Sequence, residues 1–129
     1  MTGSLGDVMK ESSIIAQTYA KNFLHKYFKN TDTVNFLDRE IHIHFPEGAV
    51  PKDGPSAGIT ITASLIGLAL NKSIMSDVAM TGEISLNGKV LKIGGVKEKT
   101  MAAAREGLKV LIFPNENRKD VERLPENVK

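Results

Sequence analysis

Between residues 46 and 58 the chain reads PEGAVPKDGPSAG, with prolines at 46, 51 and 55 and glycines at 48, 54 and 58. Proline removes a backbone donor and locks φ, so neither a helix interior nor a central strand can run through this stretch. The segment is therefore an element boundary, with Ser56 at its exit. It is either a connector or a shaped surface that holds something still.

The flanking sequence carries clear periodicities. Val8, Ile15, Tyr19, Phe23 and Tyr27 recur at helical spacing and predict a helix over 7–29. Asp7 suits its start, and His25, Lys26 and Lys29 suit the negative end of its dipole. EIHIHF at 40–45 alternates strictly and predicts a strand. Beyond the Pro/Gly segment, SAGITITASLIGLAL is apolar on nearly every side. Its length favours a buried helix, although its β-branched Ile and Thr also suit a strand.

The stretch VAMTGEISLNGKVLKIGG predicts a strand and a hairpin, with Asn87-Gly88 as a two-residue turn. VKEKTMAAAREG predicts a short helix ended by Gly107. LKVLIF at 108–113 reads as a buried strand, and NENRKDVERL as a polar helix capped near Asn115. This order of elements predicts an α/β or α+β sandwich, with helices covering a sheet.

A chain of 129 residues suits one compact domain. With 17 basic and 15 acidic residues, its net charge of +2 directs it to neither nucleic acid nor membrane. No run reaches the length of an apolar membrane span, and no charged-then-apolar signal pattern opens the chain. The absence of cysteine excludes thiol catalysis, disulfides and Cys-ligated zinc, and fits a reducing compartment.

Three features could carry chemistry. Ser56 has a plain reading as a helix N-cap. Its other reading is a nucleophile at a helix start, where free amides such as those of Ser56 and Ala57 can hold an oxyanion. Lys97 and Lys99 fall in the first turn of a helix, the wrong end of the dipole for a cation. Both could simply be solvated. An inward-facing lysine would instead have a lowered pKa and could act as a base; Lys99 shares a face with Val96 and Ala103, whereas Lys97 faces away. His42 and His44 share one strand face, without the third ligand that a metal site needs. A triad of one of them with Ser56 and Asp53 has no support from spacing, and a polar strand face beside a loop is the better reading. A phosphate site at PKDGPSAG, as in a small-molecule kinase, lacks a Walker motif and a magnesium-binding carboxylate pair.

PEGAVPKDGPSAG together with MTGEISLNGKVLKIGGVKEK strongly resembles the proteolytic domain of the ATP-dependent Lon proteases. The PKDGPSAG and GGVKEK forms are similar to the A-type branch, which carries an AAA+ ATPase upstream on the same chain. The resemblance covers essentially the whole of residues 1–129, and implies the central part of that domain without its N-terminal edge, its C-terminal strand and helix, or the ATPase. The implied fold is the Lon proteolytic fold, similar to the ribosomal protein S5 domain 2-like class.

By this resemblance Ser56 and Lys99 form a Ser-Lys dyad, at an interval that matches the family's spacing. The serine attacks the scissile carbonyl and the unprotonated lysine takes its proton. Thr81 would orient the lysine, Asp53 would line the active-site loop, and His42 and His44 would support activity from outside the dyad. The implied function is ATP-dependent endoproteolysis of unfolded or damaged proteins, with a hexameric ring as the full-length assembly. This domain would need no cofactor or metal, ATP and magnesium belonging to the ATPase, and no membrane. The mitochondrial matrix is the compartment favoured, otherwise the bacterial cytoplasm. The rival from another class is a catalytically silent Lon-like module for assembly or nucleic-acid binding.

Overall fold

In a computed structural model, the structure describes residues 2–3, 6–27, 41–45 and 54–125. Strand β1 (Thr2–Gly3) leads to helix α1 (Asp7–Tyr27), and β2 (His44–Phe45) pairs in parallel with β1. Helix α2 (Gly58–Ala69) follows, then β3 (Val78–Met80) and the hairpin β4 (Glu83–Ile84) and β5 (Val90–Leu91). Helix α3 (Val96–Arg105), strand β6 (Val110–Ile112), a 3-10 turn (Asn115–Asn117) and helix α4 (Arg118–Glu122) complete the described chain. β6 pairs in parallel with β3, and β4 pairs antiparallel with β5. The mixed α/β class is thus the one expected.

The core lies where α1 crosses α2. The buried stripe of α1 runs Met9, Ser13, Ala16, Ala20 and Leu24, three or four residues apart, with Ser12 beside it. Its small side chains let the helices come close. Ala20, Leu24 and Leu65 form the centre, with Ile41, Ile61 and Ile66 packed around them. The buried hydroxyls remain inside their own helices: Ser13 Oγ donates to the Met9 carbonyl and Thr62 Oγ1 to the Gly58 carbonyl, each at 2.8 Å. Gly58 sits where α2 meets β4 and α1 closely. A Cβ there would stand 2.9 Å from Ile84 Cγ2 and 3.0 Å from the Ile84 backbone nitrogen.

α3 ends as its sequence predicts. Gly107 takes φ +74°, its amide donates to Ala104, and the Leu108 amide reaches back to Ala103. This is the paired closure that a left-handed glycine allows. The Asn87-Gly88 signal falls in a hairpin, but the loop holds three residues rather than two. The Gly88 amide donates to the Ser85 carbonyl and the Ser85 amide to Lys89, so Gly88 (φ +87°) is the left-handed residue after a type I turn.

Other expectations need correction. α1 is described over Asp7–Tyr27, with positions 28 and 29 of the predicted helix outside the described residues; α2 spans Gly58–Ala69, so Ser56 precedes the helix. α2 is not buried all round: Leu68 is 68% exposed. Of the 40–45 segment, His44–Phe45 is strand, and its partner is a strand at Thr2–Gly3 that no alternation announces. β6 is not a buried strand. Val110 and Ile112 are half exposed, because β6 and β3 make a two-stranded sheet among the described residues and only Leu111 turns inward.

Asn115 does not cap a helix. Pro114 precedes a 3-10 turn, and Asn117 does the structural work from a fully buried position. Its side-chain carbonyl accepts from the Ile93 amide at 2.9 Å, and its NH₂ donates to the Ile93 carbonyl at 2.8 Å. The side chain thereby imitates a strand partner and anchors the Gly94–Gly95 bend from which α3 starts.

Gly58→Ala should destabilise the fold by about 1–3 kcal/mol, the usual cost of forcing atoms into a packed site. Urea unfolding should show a lower midpoint with an unchanged slope. A midpoint equal to that of the wild type would show that the crossing of α1, α2 and β4 is looser than its distances.

Candidate active site

Ser56 occupies the turn that enters α2, after Gly54 at φ +104° and Pro55. The N-cap position belongs to Ala57, and no side chain caps the helix. The capping reading of Ser56 is therefore not what the structure holds. Among the described residues, neither the Ser56 hydroxyl nor the amides of Ser56 and Ala57 is taken up by a hydrogen bond within the protein. Hydroxyl and donors are left together at the positive end of a helix dipole.

The turn is stitched to the segment that follows β3. The Ser56 carbonyl accepts from the Gly82 amide at 2.8 Å and from Thr81 Oγ1 at 3.2 Å. The Gly82 carbonyl accepts from the Ile59 amide at 3.0 Å, and Thr60 Oγ1 donates to the Met80 carbonyl at 2.9 Å. The Thr81 amide donates to the Ile112 carbonyl at 3.1 Å, which carries the β3–β6 pairing one residue further. Gly82 permits this closeness, since a Cβ there would lie 2.7 Å from Val90 Cγ1. Sequence reasoning missed Gly82 and Thr60; the available signal for Gly82 was an isolated glycine between strand patterns.

Lys99 arrives from α3. Its amide donates to the carbonyl of Gly95, whose left-handed φ of +73° starts the helix. Lys99 is half-buried while Lys97 is exposed, as their faces predicted. Lys99 Nζ donates to Thr81 Oγ1 at 3.2 Å. Burial lowers the lysine's pKa from its ordinary value of 10.5, because desolvation penalises the ammonium form. Among the described residues no hydrogen bond joins Lys99 Nζ to Ser56 Oγ; Thr81 Oγ1 links the lysine to the Ser56 backbone carbonyl instead.

Hydrogen-bond polarity at Thr81 has a chemical consequence. A threonine hydroxyl has one hydrogen, and here it goes to the Ser56 carbonyl. Toward Lys99 the same oxygen can only accept. A neutral amine bound in this way spends an N–H on Thr81 and keeps its lone pair unspent.

Ser56, Thr81 and Lys99 line one cavity of about 380 Å³, whose apolar wall includes Met80, Ala102, Ala103 and Leu111. His42 and His44 do not line it; both are exposed, opposite the half-buried Ile41 and Ile43. Asp53 lies outside the described residues. Among the described residues no group of three His, Asp or Glu side chains could hold a metal ion. Nor is any described helix long and apolar enough to cross a membrane.

The family model described as the Lon protease (S16) C-terminal proteolytic domain matches residues 1–129. The chain belongs to this Lon family. It is 59% identical over 126 residues to a mitochondrial Lon protease homolog of Drosophila melanogaster, covering 97% of this chain and 12% of that protein. It is 56% identical to a mitochondrial Lon protease homolog of Ostreococcus lucimarinus, over 99% of this chain and 14% of that one. A Lon protease of Fusobacterium nucleatum is 54% identical over 100% of this chain and 17% of its own length. The chain thus spans less than a fifth of the length of these curated relatives. Lon relatives named mitochondrial and a bacterial one both stand among them.

The lowered pKa of Lys99 predicts a pH dependence of stability. Between the folded value and the ordinary 10.5, the unfolded chain binds more protons, so stability rises with pH across that window. Below the folded value the buried ammonium carries its full cost. Relative to Lys99→Met, the wild type should therefore gain stability as pH is raised from neutral toward the ordinary lysine range. Parallel pH profiles for the two proteins would show that Lys99 is not desolvated.

Proposed function

We propose that this chain is the proteolytic domain of an ATP-dependent Lon-type serine endopeptidase, with Ser56 as nucleophile and Lys99 as general base. The observation that carries the reading is a serine with an unshared hydroxyl and a desolvated lysine on a common cavity, the lysine held to the serine's backbone carbonyl through Thr81. In the reaction, Ser56 Oγ attacks the peptide carbonyl carbon while Lys99 Nζ takes the hydroxyl proton. The free amides of Ser56 and Ala57 receive the oxyanion. Lys99 then gives that proton to the leaving nitrogen, and the C–N bond breaks to leave an ester on Ser56. Water attacks this ester with Lys99 again as base, and Ser56 leaves with the proton restored. Thr81 keeps the lysine lone pair aimed and unspent. Resting serine-base contacts are commonly loose and tighten around substrate, so the absence of a direct hydrogen bond in the resting site fits this mechanism.

The same reading assigns a fold of the ribosomal protein S5 domain 2-like class, unfolded or damaged proteins and peptides as substrates, and a homo-hexameric ring as the full-length assembly. ATP and magnesium serve the AAA+ module of the whole protein, while this domain uses neither. Asp53, His42 and His44 support activity without entering the dyad. The mitochondrial matrix is favoured as the compartment, otherwise the bacterial cytoplasm, in line with the names of its relatives. A silent assembly module would need no serine and lysine on one cavity.

Ser56→Ala and Lys99→Ala should each lower peptide cleavage by at least roughly a thousandfold while the protein stays folded. Wild-type kcat/KM should rise with pH through an apparent pKa below the ordinary lysine value. Turnover retained in Lys99→Ala, with a folded protein, would refute the dyad.

A further inference from the structure

Among the described residues, the cavity that holds Ser56 and Lys99 has one further ionisable side chain on its lining, Glu106. Its position is unusual in energetic terms. Glu106 is the C-cap residue of α3, its amide bonded to the Ala102 carbonyl, so its carboxylate stands at the negative end of that helix. A negative charge there is opposed by the helix dipole. It is exposed, so burial gives no reason for a carboxylate there. Arg105 and Lys109, its basic near neighbours in sequence, do not line the cavity.

The remaining wall is short and apolar. Ala79, Ala102 and Ala103 leave width, and Met80, Leu108 and Leu111 supply a greasy surface. On a carbonyl carbon bonded to Ser56 Oγ, the acyl-side side chain is one Cα removed and stays tethered to the serine after the amine leaves, so it shares this cavity with Ser56. Apolar walls accept the stem of that side chain, and Glu106 together with the α3 C-terminus sets the potential at its tip.

We propose that Glu106 is a specificity-determining residue of this site: it turns away substrates with an acidic side chain next to the scissile carbonyl, and accepts apolar side chains and apolar stems ending in a cation. The proposal rests on Ser56 as the nucleophile. It concerns the choice among substrates and leaves the chemical step to Ser56 and Lys99.

The test is a set of fluorogenic peptides identical except for Leu, Lys or Glu on the acyl side of the cleaved bond, assayed in the intact protein. Wild type should cleave the Leu and Lys peptides well ahead of the Glu peptide. In Glu106→Gln the ratio of kcat/KM for Lys over Glu should fall by about threefold to tenfold, the scale of one screened charge at close range. Glu106→Lys should carry the ratio further in the same direction, and raising the salt concentration should compress the differences among all three proteins. Cleavage with a Lys-to-Glu ratio unmoved in both variants would overturn this proposal alone. Absence of cleavage of any peptide by the wild type would overturn the catalytic reading and this one with it.

Discussion

Thr81 is the point at which the site is held together. Its backbone amide belongs to the β3–β6 pairing, its hydroxyl hydrogen goes to the Ser56 carbonyl, and its hydroxyl oxygen accepts from Lys99. One residue therefore ties a sheet, the turn before α2 and the first turn of α3. At 8% exposure it is shielded from water that would compete for both side-chain contacts. The polarity of the three contacts also matters, because a hydroxyl already committed as a donor cannot occupy the lysine lone pair.

The elements around Thr81 work by removing bulk. Gly58 and Gly82 stand where an added Cβ would meet Ile84 and Val90, and the α1 stripe is made of serine and alanine through its middle. This closeness brings the amides of Gly82 and Ile59 within 3.0 Å of their partners across the turn. Asn117 supplies the matching restraint on the other side, pairing with both backbone groups of Ile93 just before α3 starts. Position in this site is thus set by backbone hydrogen bonds, and side-chain packing maintains them.

Much of this arrangement was legible in the residues. A helical period located α1, although the buried stripe is Met9, Ser13, Ala16, Ala20 and Leu24 while Val8 and Tyr27 of that period are exposed. The VKEKTMAAAREG run ended by the left-handed Gly107 located α3, and facing separated half-buried Lys99 from exposed Lys97. The motifs around Ser56 and Lys99 marked the family. Partner choice was not legible, because the parallel pairs join residues 2–3 to 44–45 and 78–80 to 110–112, and no local pattern encodes a distant strand. Val110 and Ile112 look like core by composition, yet they face outward because burial depends on how many strands a sheet has. Asn115 drew the capping expectation and Asn117 does the work. Both are asparagines at a helix entry, and the Ile93 backbone opposite Asn117 decides between them.

The parallel pairing of β3 with β6 also has a consequence in time. These strands are separated by the whole hairpin and α3, so their ladder forms only after a long stretch of chain has closed on itself, a slow class of contact. Thr81 receives its sheet hydrogen bond from that same ladder, and the lysine meets the threonine only once α3 has docked. A nascent or half-folded chain therefore presents a serine and a lysine with nothing to join them. On the proposed reading of the site, the cleaving pair would thus be assembled only in the finished fold.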